Sequence, residues 1–138
     1  MKLKRLLASA VAVTLLSSLT AIGSFAANNH DTGFSFTVGP NWQARTEFRD
    51  KTNSTSVYVN SLSGPSVTYF YVIDPNGGIQ NSGKGVAPIS PGTKRCIYNH
   101  VYENGWRTCA LATLNNPYTG QSTGVWSPDT VGSYIHAN

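Results

Sequence analysis

Residues 67–78 read VTYFYVIDPNGG. Side chains of an extended chain point alternately to opposite sides, so Val67, Tyr69, Tyr71 and Ile73 share one face, with Phe70 and Val72 on the other. A strand apolar on both faces belongs inside a packed structure. Asp74-Pro75-Asn76-Gly77-Gly78 then stops it, because proline presets φ at the second turn position and glycine accepts a positive φ.

The same logic extends in both directions. Phe34, Phe36 and Val38 alternate with Ser35 and Thr37 before Pro40. Trp42, Ala44, Thr46 and Phe48 alternate with Gln43, Arg45, Glu47 and Arg49, a half-buried strand with a charged outer row. Val57 to Leu62 follows, closed by Ser63-Gly64-Pro65. The glycine- and proline-rich stretch Ile79 to Thr93 reads as a loop with at most a short edge strand. Lys94 to Tyr102 and Trp106 to Leu114 are expected to form a hairpin around Glu103-Asn104-Gly105, and Tyr118 to Trp126 is the last strand. Trp42 and Trp126 are expected in the core. Strands at this spacing predict an all-β fold, a small single-domain antiparallel β-sandwich of about seven strands.

Ahead of that domain, residues 1–26 read as an export signal. Lys2, Lys4 and Arg5 form a basic head, Leu6 to Leu16 an apolar stretch, and Ser24-Phe25-Ala26 a cleavage site, with Ala27 as the alternative last residue. A signal helix of this length, interrupted by Ser17, Ser18 and Thr20, is too short for a stable membrane anchor. The expectation is a secreted, extracellular domain over residues 27–138. Of ten basic residues, the three in the signal are lost, leaving seven against six acidic ones. A domain so nearly neutral lacks the clustered basic face of a nucleic-acid binder.

Composition agrees with the strand reading. The part beyond the signal holds three Leu, two Glu and three Lys, so good helix formers are scarce. It has 12 Gly, 12 Asn, 12 Thr and 11 Ser, residues of turns and strand surfaces. Its 14 aromatics supply the apolar area that separates a folded domain from a disordered one.

Cys96 and Cys109 are the two cysteines of an exported chain, and a disulfide is the expected pairing. A two-residue turn at Asn104-Gly105 would set Cys109 opposite His100 instead, so the bond requires a longer loop or a bulge between the strands. Two buried, unbonded thiols are the alternative. His30, His100 and His136 show no metal-ligand spacing, and no nucleophile elbow is present, so no catalytic residue, metal or cofactor is expected. The six carboxylates read as turn formers or solvated charges. Tyr102 and Trp106 flank the expected hairpin tip, where an aromatic pair could stack on a sugar ring or enter a headgroup layer, against simple cross-strand packing as the plainer role.

The leader ending in Ala26-Ala27-Asn28-Asn29, the opening Phe34-Ser35-Phe36-Thr37-Val38 and the closing Ser122-Thr123-Gly124-Val125-Trp126-Ser127-Pro128-Asp129 together resemble a family of small secreted proteins. That family occurs in spore-forming Gram-positive bacteria and is catalogued as a domain of unknown function. The resemblance implies secretion and an all-β domain and transfers no catalytic residues. The plan of leader plus aromatic, Gly/Ser-rich β-domain is also similar to lactococcin-type bacteriocins. The expected function is a non-enzymatic binding module at the cell envelope or in the extracellular matrix, with a cell-wall polymer or another envelope component as partner. A bacteriocin-like effector is the alternative.

Overall fold

The computed structural model describes residues 27–138, and the expected signal segment lies outside the described residues. Nine strands follow one another: β1 Thr32–Val38, β2 Gln43–Arg45, β3 Arg49–Asp50, β4 Val57–Ser63, β5 Thr68–Ile73, β6 Ala87–Ile89, β7 Thr93–Ile97, β8 Thr108–Leu114 and β9 Gly120–Ser127. One antiparallel sheet has the order β1-β9-β4-β7 and the other β2-β8-β5-β6, with β3 also on β8. Among the described residues the only helical element is a 3-10 turn, Ser82–Lys84. The all-β, two-sheet expectation holds, with nine strands in place of seven. The expected strand Trp42 to Arg49 is divided into β2 and β3, and the Ile79 to Thr93 stretch contributes β6.

The alternation read from the sequence fills the space between the sheets. Phe34, Phe36, Val38, Val57, Val59, Ile97 and Trp126 point inward from the first sheet, against Phe70, Val72, Cys109, Leu111, Ala87 and Ile89 of the second. The Phe34 ring meets Phe70 edge-on across the gap at 5.5 Å, the geometry aromatic pairs prefer. Room for Phe34 comes from its cross-strand partner Gly124 on the central strand β9. Trp126 is fully buried as expected, whereas Trp42 is 57% exposed because it sits in the β1–β2 turn.

The strand of residues 67–73 is β5, between β8 and β6. Phe70 and Val72 face the core, while Ile73 and Tyr71 join Phe48, Ala110 and Ala112 in a small cluster on the outer face. Strand β8 is the more enclosed of the two, buried from Cys109 to Thr113.

The expected hairpin does not form. Strand β7 pairs with β4 in the first sheet and β8 with β5 in the second, so residues 98–107 cross from one sheet to the other. Buried Val101 anchors this crossover, and Asn99 stabilises its start by bonding the Ile97 carbonyl and the Val101 amide. That topology also overturns the expected disulfide. Cys96 lies on the first sheet opposite Tyr58 and Cys109 on the second opposite Arg49, and both are free, buried thiols.

Asp129, expected to be a solvated turn residue, is buried as well. Its Oδ1 accepts from Lys51 Nζ at 2.7 Å, and its Oδ2 accepts from Thr52 N, Thr52 Oγ1 and Asn28 N. Lys51 also donates to the Thr55 carbonyl. This network fixes the β3–β4 loop and the turn after β9 against each other at one end of the sandwich.

Candidate functional site

At that same end the chain leaves β9 and runs back as a tail over the first sheet. Gly132, with φ at +98°, takes the reversal that a side chain would resist. Residues 135–137 then lie parallel to β7: Cys96 N donates to the Ile135 carbonyl and Ala137 N to the Cys96 carbonyl. Asn138 closes the strap. Its Oδ1 accepts from Tyr98 N at 2.9 Å, and its amide nitrogen donates toward the carbonyls of Tyr98 and Gly85.

Between tail, β3–β4 loop and crossover lies an open cleft of about 550 Å³. The loop supplies Ser54, Thr55 and Ser56, the 3-10 turn Lys84, the end of β7 Cys96 and Tyr98, the crossover His100 and Glu103, and the tail Tyr134 and His136. Alternation places Lys94, Cys96 and Tyr98 on the outer face of β7, which is why this face reaches the cleft.

Two ring stacks frame the space. Tyr98 lies flat on His136, centroids 3.6 Å apart and planes 5° from parallel. Tyr134 packs on Tyr58 at 4.7 Å. Both Tyr98 and Tyr134 remain partly exposed. His136 Nε2 is 2.9 Å from Ser56 Oγ. Burial, and secondarily the charge of Lys84, hold His136 below its ordinary pKa, so its imidazole is neutral at neutral pH.

A neutral histidine against a serine hydroxyl is two parts of a nucleophile–base arrangement. Among the described residues no carboxylate bonds His136 to orient it, so the arrangement stops short of a triad. The thiols add no nucleophile. Burial raises the Cys96 pKa against the smaller opposing effect of its Thr130 bond, and pushes Cys109 up to about 12, so both stay protonated. Nor, among the described residues, do His, Cys, Asp and Glu side chains converge into a group of three that could hold a metal. What the cleft offers is ring faces, hydroxyls, an ammonium, a carboxylate and imidazoles.

Tyr102 and Trp106 are both on the crossover, but neither lines this cleft. Tyr102 is half-buried beneath the Arg107 guanidinium, 4.0 Å from the ring, and Trp106 packs on the core. The sequence reading passed over Tyr98, Tyr134 and His136 as site residues. Spacing on β7 could have put Tyr98 beside Cys96, but the return of the tail has no signal in local sequence.

These features define a two-sheet antiparallel sandwich with an open polar and aromatic cleft at one end. The chain belongs to the family described as protein of unknown function (DUF2712), whose model matches residues 22–130. No curated protein matches it. The tail residues lining the cleft, Gly132, Ser133, Tyr134 and His136, lie beyond the matched span.

Proposed function

We propose that the protein is a secreted, non-enzymatic binding module that takes a segment of envelope or wall polymer in the cleft between its tail and crossover. The observation carrying this reading is the cleft itself, framed by the Tyr98–His136 and Tyr134–Tyr58 stacks and floored by hydroxyl side chains. Sugar rings present C–H faces to aromatic rings and hydroxyls to polar side chains, and polar groups placed among ring faces give such a pocket orientation and selectivity. The test is sedimentation of purified protein with isolated cell wall. Wild type co-sediments, and Tyr98→Ala loses most of that binding while keeping its fold. Equal sedimentation of the two proteins, or none by wild type, refutes the proposal.

A second reading is favoured by the opposite end of the molecule. There the exposed rings of Trp42 and Tyr118 stand on adjacent turns, linked by the Asn115 N bond to the Trp42 carbonyl. Exposed aromatics of this kind suit a lipid interface and a bacteriocin-like effector. Killing of indicator bacteria by purified protein, abolished in Trp42→Ala, would select this reading.

A further inference from the structure

Two charged side chains line the cleft, Lys84 and Glu103, beside the imidazoles of His100 and His136, and it is Lys84 that lies against the aromatic frame. Two other carboxylates are engaged elsewhere: Asp129 pairs with Lys51, and Asp74 holds its own turn by accepting from Asn76 N, Gly78 N and Gln80 Nε2.

Lys84 is a cation without a carboxylate. The ion pair among the described residues is Lys51–Asp129, whereas Lys84 Nζ lies over the Tyr98 ring, 5.7 Å from its centroid. The next residue, Gly85, has its carbonyl bonded by the side chains of Asn81 and Asn138, so the lysine's backbone is tied to the buried Asn81 and to the tail. An ammonium over an aromatic face, in a cleft that also holds two imidazoles and several hydroxyls, is a donor set that recognises a phosphate or a carboxylate.

We infer that the cleft takes an anionic stretch of polymer, a repeat carrying phosphate or carboxylate, against Lys84 and the Tyr98–His136 stack. This rests on the polymer-binding reading and adds the ligand's charge. A neutral glycan would use the ring faces and leave Lys84 unpaired, whereas a cationic one would find Glu103 as its sole partner.

Calorimetric titration of purified protein with a poly(glycerol phosphate) chain, with neutral dextran and with phosphatidylglycerol vesicles tests this. The phosphate polymer is expected to bind best. Lys84→Gln should weaken it roughly five- to tenfold, and Glu103→Gln should strengthen it about threefold. Both positions are exposed, and near-ultraviolet circular dichroism verifies the fold of each variant. Dextran binding as tight as the phosphate polymer, with both charge variants silent, overturns the inference and leaves the polymer-binding reading standing. Binding of vesicles in preference to the soluble polymer overturns it by making lipid the source of the phosphate. Failure to bind either polymer refutes both readings together.

Discussion

Lys51 Nζ and Asp129 Oδ1 lie 2.7 Å apart with both side chains fully buried. The pair joins the start of the β3–β4 loop to the turn after β9, two segments that build the end of the sandwich where the cleft opens. Removing one partner strands the other charge in a dry interior. Lys51→Met and Asp129→Asn are therefore each expected to cost about 3–5 kcal/mol. A double replacement by apolar residues of similar volume should recover part of that loss. Urea denaturation measures all three, and single variants within about 1 kcal/mol of wild type would contradict the assignment.

The same carboxylate contributes to the stability of the fold against acid. Burial alone would raise its pKa, but the bonds from Lys51, Thr52 and the Asn28 amide outweigh that and hold it below the ordinary 3.8. A carboxylate depressed in the folded state contributes stability that is present above 3.8 and is lost as pH falls through the folded value. Acid unfolding followed by circular dichroism should show this loss below pH 3.8, and Asp129→Asn should flatten it.

Gly124 is confined by its neighbours. A Cβ there would lie 2.8 Å from the Phe34 ring and closer still to the Asn60 carbonyl oxygen. Because β9 lies between β1 and β4, neither strand can move aside without breaking the sheet. Gly124→Ala is expected to cost about 1–3 kcal/mol, the usual range for overpacking. Gly83→Ala has open space and no positive φ, so it should stay within about 0.5 kcal/mol of wild type. Thermal denaturation of the two variants side by side decides the point.

Cys96 and Cys109 occupy different sheets as buried thiols. Reductant should leave the melting temperature unchanged, and a thiol reagent should label both residues on unfolding and neither beforehand. A melting temperature that falls on reduction would contradict this. Alternation correctly placed Phe34, Phe36, Phe70, Val72 and Trp126 inside, because strand periodicity is local and burial follows it. Whether two successive strands pair or cross between sheets depends on contacts distant in sequence, here Val57 with Ile97 and Ile73 with Ala110. Asn104-Gly105 does turn the chain, with the Gly105 amide bonded to the Tyr102 carbonyl, but within the crossover. The cleft was hidden for the same reason. Its residues come from five segments brought together by topology, and its tail wall carries no periodic pattern.

His136 makes the tail sensitive to pH. Its Nε2 meets the Ser56 hydroxyl and its ring lies on Tyr98, while burial and then Lys84 disfavour its charged form. A base whose folded pKa lies below its ordinary 6.5 contributes stability that is fully present above 6.5. That contribution is lost as pH falls through the folded value, because the undocked tail then binds the extra proton more readily. The effect is local. The Ile135 and Ala137 backbone bonds to Cys96 and the Asn138 bonds to Tyr98 should weaken together, with the sandwich intact. In a nuclear magnetic resonance titration, the His136 ring proton should titrate below 6.5, and the Ala137 amide should shift at the same midpoint while core amides stay fixed. His136→Gln cannot gain the proton, so it should remove the Ala137 transition. A His136 midpoint at or above 6.5, or an Ala137 shift that persists in His136→Gln, would show that the imidazole does not control the strap.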